Sequence, residues 1–195
     1  MKQVSRKEEL TGLAIELMQS SGYGALGLRR LAEEACMQAA SLYNHFTSKN
    51  DLARQAMALY TLRQGEAIAV LEACATGGER IGLYLDMVET QFAGQQRLCL
   101  GLMLTVERHA LSSEVVDEVV RFVAANTAWL GAAWDLGRAD GSIRSPLSGD
   151  AAAPVLFSAM EGMLTFCQLQ PESARVFRQQ ADALLEGLGV LARAA

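Results

Sequence analysis

Apolar side chains recur every three or four residues along almost the whole chain, the spacing of amphipathic helices. Between Ser5 and Ser20 the residues Leu10, Leu13, Ala14, Leu17 and Met18 make one helical stripe. Ser20-Ser21-Gly22-Tyr23-Gly24 then supplies the glycines that follow a helix. A second stripe, Leu28, Leu31, Ala32 and Ala35, faces inward while Arg29, Arg30, Glu33 and Glu34 face away. After a turn at Cys36-Met37 the pattern predicts a third helix from Ala39 to Phe46, with Leu42 and Phe46, four apart, pointing inward and Met37 at its entrance. Helices this short cannot bury enough surface alone, so the first must complete the unit. The result is a three-helix domain ending in a helix-turn-helix, a layout that offers its last helix to the DNA major groove.

The rest of the chain also reads as helix, and its three prolines all lie after residue 140. A long helix is expected from about Lys49 to Cys74, stopped by Ala75-Thr76-Gly77-Gly78, and another from about Glu79 to Ala93. Leu98 to Ala110 forms the next, and Ser112-Ser113-Glu114 opens a long helix to about Arg138. Residues Ala139 to Pro146 make the main surface loop. Ala151 to Leu169 and Glu172 to Ala192 complete an all-α chain of about nine helices. The expected division is a helix-turn-helix domain over residues 1–50 and a helical effector-binding and dimerisation domain over 51–195.

The last two helices are unusually free of charge on one side. Ala152, Val155, Leu156, Ala159, Met160, Met163 and Leu164 line the first, with Gly162 permitting close approach; Phe177, Ala181, Leu184, Leu185, Leu188 and Leu191 line the second. One small body does not easily cover both, which points to a homodimer in which the pair meets its copy as a four-helix bundle, against the alternative of an intramolecular core.

The pattern GYGAL followed by LRRLAEEACM and AASLYNHFTSKNDL resembles the N-terminal DNA-binding domain of the tetracycline-repressor (TetR) family of bacterial transcriptional regulators. Its most specific part is LYNHFTSK, Leu42 through Lys49, followed by Leu52. The resemblance covers roughly the first quarter of the chain. It implies a homodimer that sits on a double-stranded operator and is released when a small-molecule effector binds the larger domain. Two positions depart from the family pattern: Cys36 stands where the turn usually has Gly, and Gln38 where the recognition helix usually opens with Ser or Thr. The first means either a backbone cost or a turn without positive φ; the second is a weaker N-cap by ~1 kcal/mol. Ala40 also replaces a frequent Gly, bringing a methyl group towards the bases.

Residue chemistry divides the DNA contact. Ser41, Tyr43, His45 and Lys49 offer donors and charge suited to phosphate oxygens and set position and affinity, with Arg29 and Arg30 as further phosphate candidates. Sequence choice falls to Gln38, Ala39, Ala40 and Asn44, because Gln and Asn pair with adenine edges and an Ala methyl packs on thymine. The alternative for Tyr43 and His45 is that they only cover a core edge, and for the arginines that they are merely solvated.

Charge is consistent with a local docking patch. Residues 1–55 hold seven Lys/Arg against six acids, and the remainder ten against sixteen, within a net charge of −5. An acidic whole disfavours sequence-blind coating of nucleic acid. No apolar run approaches the ~20 residues of a membrane helix, and the charged opening precedes no signal-peptide core, so a cytoplasmic place is expected. The four cysteines, Cys36, Cys74, Cys99 and Cys167, have no CxxC pairing, and neither structural disulfides nor a metal site is expected. With two histidines, His45 and His109, and no nucleophile motif or phosphate loop, the pattern argues against an enzyme and implies no cofactor. The competing class is a helical protein-interaction adaptor that uses the helix-turn-helix as scaffold.

A mostly apolar effector cavity with few polar anchors would draw on Tyr84, Val88, Gln91, Cys99, Met103, Phe122, Asn126, Trp129, Phe157 and Glu161. Arg97-Leu98-Cys99-Leu100-Gly101 resembles the RGCL-type segment of a TetR subgroup whose members answer electrophiles and oxidants through that cysteine. Arg97 and a helix N-terminus could lower the thiol's pKa; the commoner fate of such a cysteine is a small buried hydrophobe.

Overall fold

A computed structural model of the chain describes residues 5–95 and 97–191. Among the described residues the helices are α1 (Arg6–Ala25), α2 (Leu28–Glu34), α3 (Ala39–Leu42), α4 (Lys49–Leu71), α5 (Gly77–Gln95), α6 (Leu100–Val106), α7 (Ser113–Asp140), α8 (Gly149–Cys167) and α9 (Ser173–Gly187), with a 3-10 turn at Arg108–Ala110. The all-α reading and the helix order agree with the sequence pattern. The expected third helix is shorter than its pattern, because after Leu42 the backbone tightens into turns, although Phe46 N–H still reaches the Leu42 carbonyl at 2.9 Å. The sixth is shorter too, its last turn giving way to the 3-10 segment. Of the expected final helix, Ala192 lies outside the described residues.

The chain divides into two compact units, Met1–Gly65 with Arg97–Val123, and Glu66–Gln96 with Ala124–Ala195. This partition differs from a cut at residue 50, since α6 packs along α1 and is drawn into the first unit.

In the first unit α1 begins at Ser5, whose hydroxyl accepts from the Glu8 N–H at 3.2 Å, an N-cap. Leu10, Ala14, Met18, Leu31, Leu42, Phe46, Leu52 and Met57 are buried together as its core. Gly22 breaks α1 at φ 78°, ψ 171°, a conformation open essentially to glycine alone, and the chain resumes for one further turn. Helix α4 is opened by Ser48 and Asp51: the Asp51 N–H donates to the Ser48 hydroxyl at 3.1 Å and the Asp51 carboxylate accepts from the Thr47 N–H at 3.0 Å.

In the second unit α5 starts against α7. A Cβ on Gly77 would fall 2.1 Å from the Ala133 carbonyl, so only glycine lets the two backbones approach there. Asp140 and Ser142 accept from the N–H groups of Gly77 and Gly78, each at 2.9 Å. Arg178 of α9 binds Asp86 at 2.7 Å and also Glu89, tying α9 to α5, and Phe92 and Phe177 pack ring against ring beneath them. The apolar pattern of α8 resolves into two faces: Ala152, Leu156, Met160 and Leu164 are buried, whereas Val155 and Phe166 are exposed, as is Leu169 just beyond the helix.

Candidate nucleic-acid interface

The turn between α2 and α3 follows from hydrogen bonding at the end of α2. The Met37 N–H donates to the Ala32 carbonyl at 2.9 Å and the Cys36 N–H to the Glu33 carbonyl at 3.1 Å, the paired bonds of a Schellman motif. That motif requires a left-handed residue, and Cys36 takes it at φ 52°. Of the two outcomes open from sequence, the turn adopts positive φ and bears its cost, about 1–2 kcal/mol for a side chain with a Cβ. The Arg6 guanidinium, donating at 2.8 Å to the Ala35 carbonyl, secures the same turn from the start of α1.

Gln38 is the N-cap residue of α3 with extended backbone, and its side chain makes no capping bond. Its carboxamide is exposed. Leu42 and Phe46 occupy the inner face. On the outer face Gln38, Ala40, Tyr43 and Asn44 are exposed, Tyr43 by 61%, while Ala39, Ser41 and His45 are half-buried. The His45 ring leans on Phe46 at a centroid distance of 6.2 Å. Tyr43 therefore does not cover the core. Arg29 is exposed, and Arg30 lies 3.5 Å from Glu34 on its own helix.

Lys49 is placed differently from its neighbours. Its ammonium sits 4.1 Å from the centroid of the Tyr23 ring and donates to the Gly24 carbonyl at 3.3 Å. Burial pulls its pKa below the usual lysine value, and the nearby Glu107 carboxylate opposes that shift. Tyr23 is held on three sides: its ring by Lys49, its hydroxyl by Asn50 and its N–H by Glu107. Burial, then the Glu107 charge, raises the Tyr23 pKa. Sequence reasoning missed Asn50 and Glu107, and only the GY pair hinted that this tyrosine is structural.

The cavity candidates fall into separate places. In the second unit the Tyr84 hydroxyl donates to Asn126 at 3.0 Å and its ring stacks on Trp129 at 5.6 Å, so α5 and α7 bring these three together. Val88, Phe157 and Glu161 are buried, whereas Gln91 faces out. In the first unit Phe122 packs on Tyr60 at 5.5 Å and against Gly101, where a Cβ would come within 2.7 Å of its ring. Cys99 is the half-buried N-cap residue of α6 and Met103 is half-buried one turn on. Arg97 lies 3.2 Å from Glu16.

Residues 10–56, the first helix through the start of α4, match the family model described as bacterial regulatory proteins, tetR family. No curated protein matches the chain by sequence. Solved structures share its fold over nearly their full length. A TetR-family transcriptional regulator from Agrobacterium tumefaciens superposes with a TM-score of 0.88 at 22% identity, covering 94% of this chain and 97% of that one. The reduced form of E. coli NemR gives 0.77 at 22% identity, with 98% and 100% covered. The Bacillus subtilis regulator FadR, solved with stearoyl-CoA, gives 0.71 at 17% identity, with 92% and 97% covered.

Proposed function

We propose, from a head that belongs to the tetR family of bacterial regulatory proteins, that this chain is a homodimeric transcriptional repressor released from its operator by a small molecule. The observation that carries the reading is the exposed face of α3. Gln38, Ala40, Tyr43 and Asn44 are exposed on α3 and the turns that flank it, a segment anchored by Leu42 and Phe46, with nothing in their chemistry that serves the core. Gln38 and Asn44 supply the carboxamides that read adenine edges, Ala39 and Ala40 the methyl surface for thymine. Tyr43, Ser41, His45 and Arg29 are assigned to phosphates. Lys49 joins them only by leaving the Tyr23 ring, which costs a cation–π contact of ~0.5–1 kcal/mol and is offset by a phosphate ion pair.

Two heads read a palindromic site, and α8 and α9 supply the means of pairing. Val155, Ala159, Gly162 and Phe166 recur at helical spacing along α8 and Leu169 follows in the turn at its end, with Phe166 and Leu169 exposed by 68% and 78%. A Cβ on Gly162 would meet nothing within 4 Å, so this stripe is open for a second copy to pack against. The effector is assigned to residues 51–195, around the Tyr84–Asn126–Trp129 group, whose buried amide and hydroxyl supply polar anchors among apolar walls. Its binding acts through α4, which carries Lys49 at one end, and must favour a form with the wrong separation of heads. The DNA-binding reading places the chain in the cytoplasm beside the DNA; no described helix is long and apolar enough to cross a membrane.

The test is gel-shift titration of duplexes from the region upstream of the chain's own gene and from genomic selection. A specific complex is expected, its affinity falling steeply with salt. Tyr43→Phe should weaken all duplexes alike, and Gln38→Ala or Asn44→Ala should change the preferred sequence. Failure of every duplex at low salt would leave the adaptor reading standing in its place.

A further inference from the structure

The α1 kink presents two backbone donors to one side chain from far along the sequence. With Gly22 at φ 78°, the N–H groups of Tyr23 and Gly24 both point at the Glu107 carboxylate, donating to Oε1 at 2.7 Å and Oε2 at 2.8 Å. The fit is close, since a Cβ on Gly22 would stand 2.2 Å from Oε1 and one on Gly24 3.2 Å from Oε2. Glu107 is the C-cap residue of α6. The other end of α6 is also tied to α1: the Gln19 side chain donates to the Leu98 carbonyl at 2.9 Å, and Arg97 meets Glu16 at 3.2 Å. Helix α6 thus lies along α1 with a polar tie at each end, and its Glu107 tie reaches the residue on which Lys49 and Asn50, the start of α4, are seated.

We propose that Glu107 is a positioning residue for DNA binding: by holding the Tyr23 and Gly24 amides it fixes the joint between α1 and α4, so the head's grip on DNA depends on where α6 stands. The inference rests on the DNA-binding reading above and assigns a residue to it that lies outside the helix-turn-helix. The physical chain is short. A charged acceptor makes stronger hydrogen bonds than a neutral one, and two on one carboxylate define both distance and orientation. Tyr23 then offers Lys49 a fixed ring and Asn50 a fixed hydroxyl, which orients the first turn of α4 relative to α1. Loss of the carboxylate frees both amides and lets the kink relax, so the first turn of α4 no longer has one orientation to present to a phosphate.

The experiment compares Glu107→Ala and Glu107→Gln with the unaltered full chain. Amide exchange at Tyr23 and Gly24 is followed by NMR, and binding is measured to a duplex selected from the genome by the unaltered protein. Glu107→Ala, folded by circular dichroism, is expected to exchange those two amides about 100-fold faster and bind about tenfold more weakly. Glu107→Gln keeps one carbonyl acceptor and should fall between, about threefold weaker than the unaltered chain. A merely structural tie would change the melting temperature but leave the duplex affinity of the folded variant unaltered, and that result would overturn the proposal. So would unaltered exchange at Tyr23 and Gly24. If the unaltered protein selects no duplex, the regulatory reading fails on its own, and the proposal falls with it even where the amides behave as expected.

Discussion

Replacing Gly22 by alanine tests the kink from the opposite side of the same contact. At φ 78°, ψ 171° a residue with a Cβ pays backbone strain of about 1–3 kcal/mol. The new methyl would also stand 2.2 Å from the Glu107 carboxylate, closer than any real contact, so the carboxylate must withdraw from at least one of its two amides. A hydrogen bond to a charged group contributes about 1.5–3 kcal/mol, part of which water recovers at this half-exposed place. The two effects act on one joint and overlap, which puts the expected loss at about 2–4 kcal/mol. For a chain of this size each kcal/mol moves the melting temperature by roughly 2–4 °C, so a fall of about 5–15 °C is expected in a calorimetric scan. The kink and the carboxylate also make a combined expectation: in the Glu107→Ala background the steric part disappears, and Gly22→Ala should cost only its strain. Equal costs in both backgrounds would show that methyl and carboxylate never met. A Gly22→Ala protein within 0.5 kcal/mol of the unaltered chain would refute the assigned backbone itself.

Three further expectations follow from the head and the α8 face. Cys36→Gly relieves the left-handed strain at the helix-turn-helix, offset by the greater freedom of an unfolded glycine; a net gain of about 0.5 kcal/mol in a urea titration is expected with duplex affinity retained, and a loss of stability would contradict the Schellman geometry. Burial works to raise the Asp51 carboxyl, but hydrogen bonds from Gln55, Thr47 and Arg54 prevail and hold its pKa below the ordinary 3.8. Such a group stabilises the fold above that ordinary value and loses its contribution as pH falls through the lower folded one. Urea midpoints should therefore drop between pH 5 and pH 3 less steeply in Asp51→Asn, and parallel curves would dismiss the assignment. Phe166→Asp sets a charge in the open stripe of α8; under the proposed pairing, sedimentation should show a dimer for the unaltered chain and a monomer for the variant, and a dimer persisting in both would move the interface elsewhere.

What the sequence disclosed and what it concealed differ by the range of the interaction involved. Leu42 and Phe46 are four residues apart, so a helical period sends both inward and leaves Tyr43 and Asn44 outward; the structure keeps that division although α3 itself ends at Leu42. The turn at Cys36-Met37 was legible for the same reason, because its hydrogen bonds return to residues three to five positions back. The left-handed φ at Cys36 was not, since nothing local distinguishes a strained turn from a relaxed one when glycine is missing. Lys49 reads as a free cation at the start of a helix, yet it lies on Tyr23, 26 positions earlier, a packing that no spacing rule anticipates. Glu107 reads locally as one acid in a charged stretch with Arg108 and His109, because its partners are 84 and 83 residues away. The cavity candidates show a third kind of limit: the same residues fill a core or line a ligand site, and the buried bond of Tyr84 to Asn126 serves either.

The placing of α6 gives these differences one consequence. A cut at residue 50 follows the helix-turn-helix pattern, but by compactness α6 and the first part of α7 go with the helix-turn-helix. The reason lies in Gln19, Glu16 and the Tyr23–Gly24 amides, which bind Leu98, Arg97 and Glu107 in turn. A signal that moves α6 therefore acts on α1 directly, through three ties spread over the second half of that helix, as well as along α4. Gly101 strengthens this route: with its Cβ position 2.7 Å from the Phe122 ring, α6 has no slack against α7, and a shift of one must displace the other. Coupling of this kind needs no long pathway of side chains. It needs a short helix held at both ends, and a joint at Gly22 whose conformation a single carboxylate maintains.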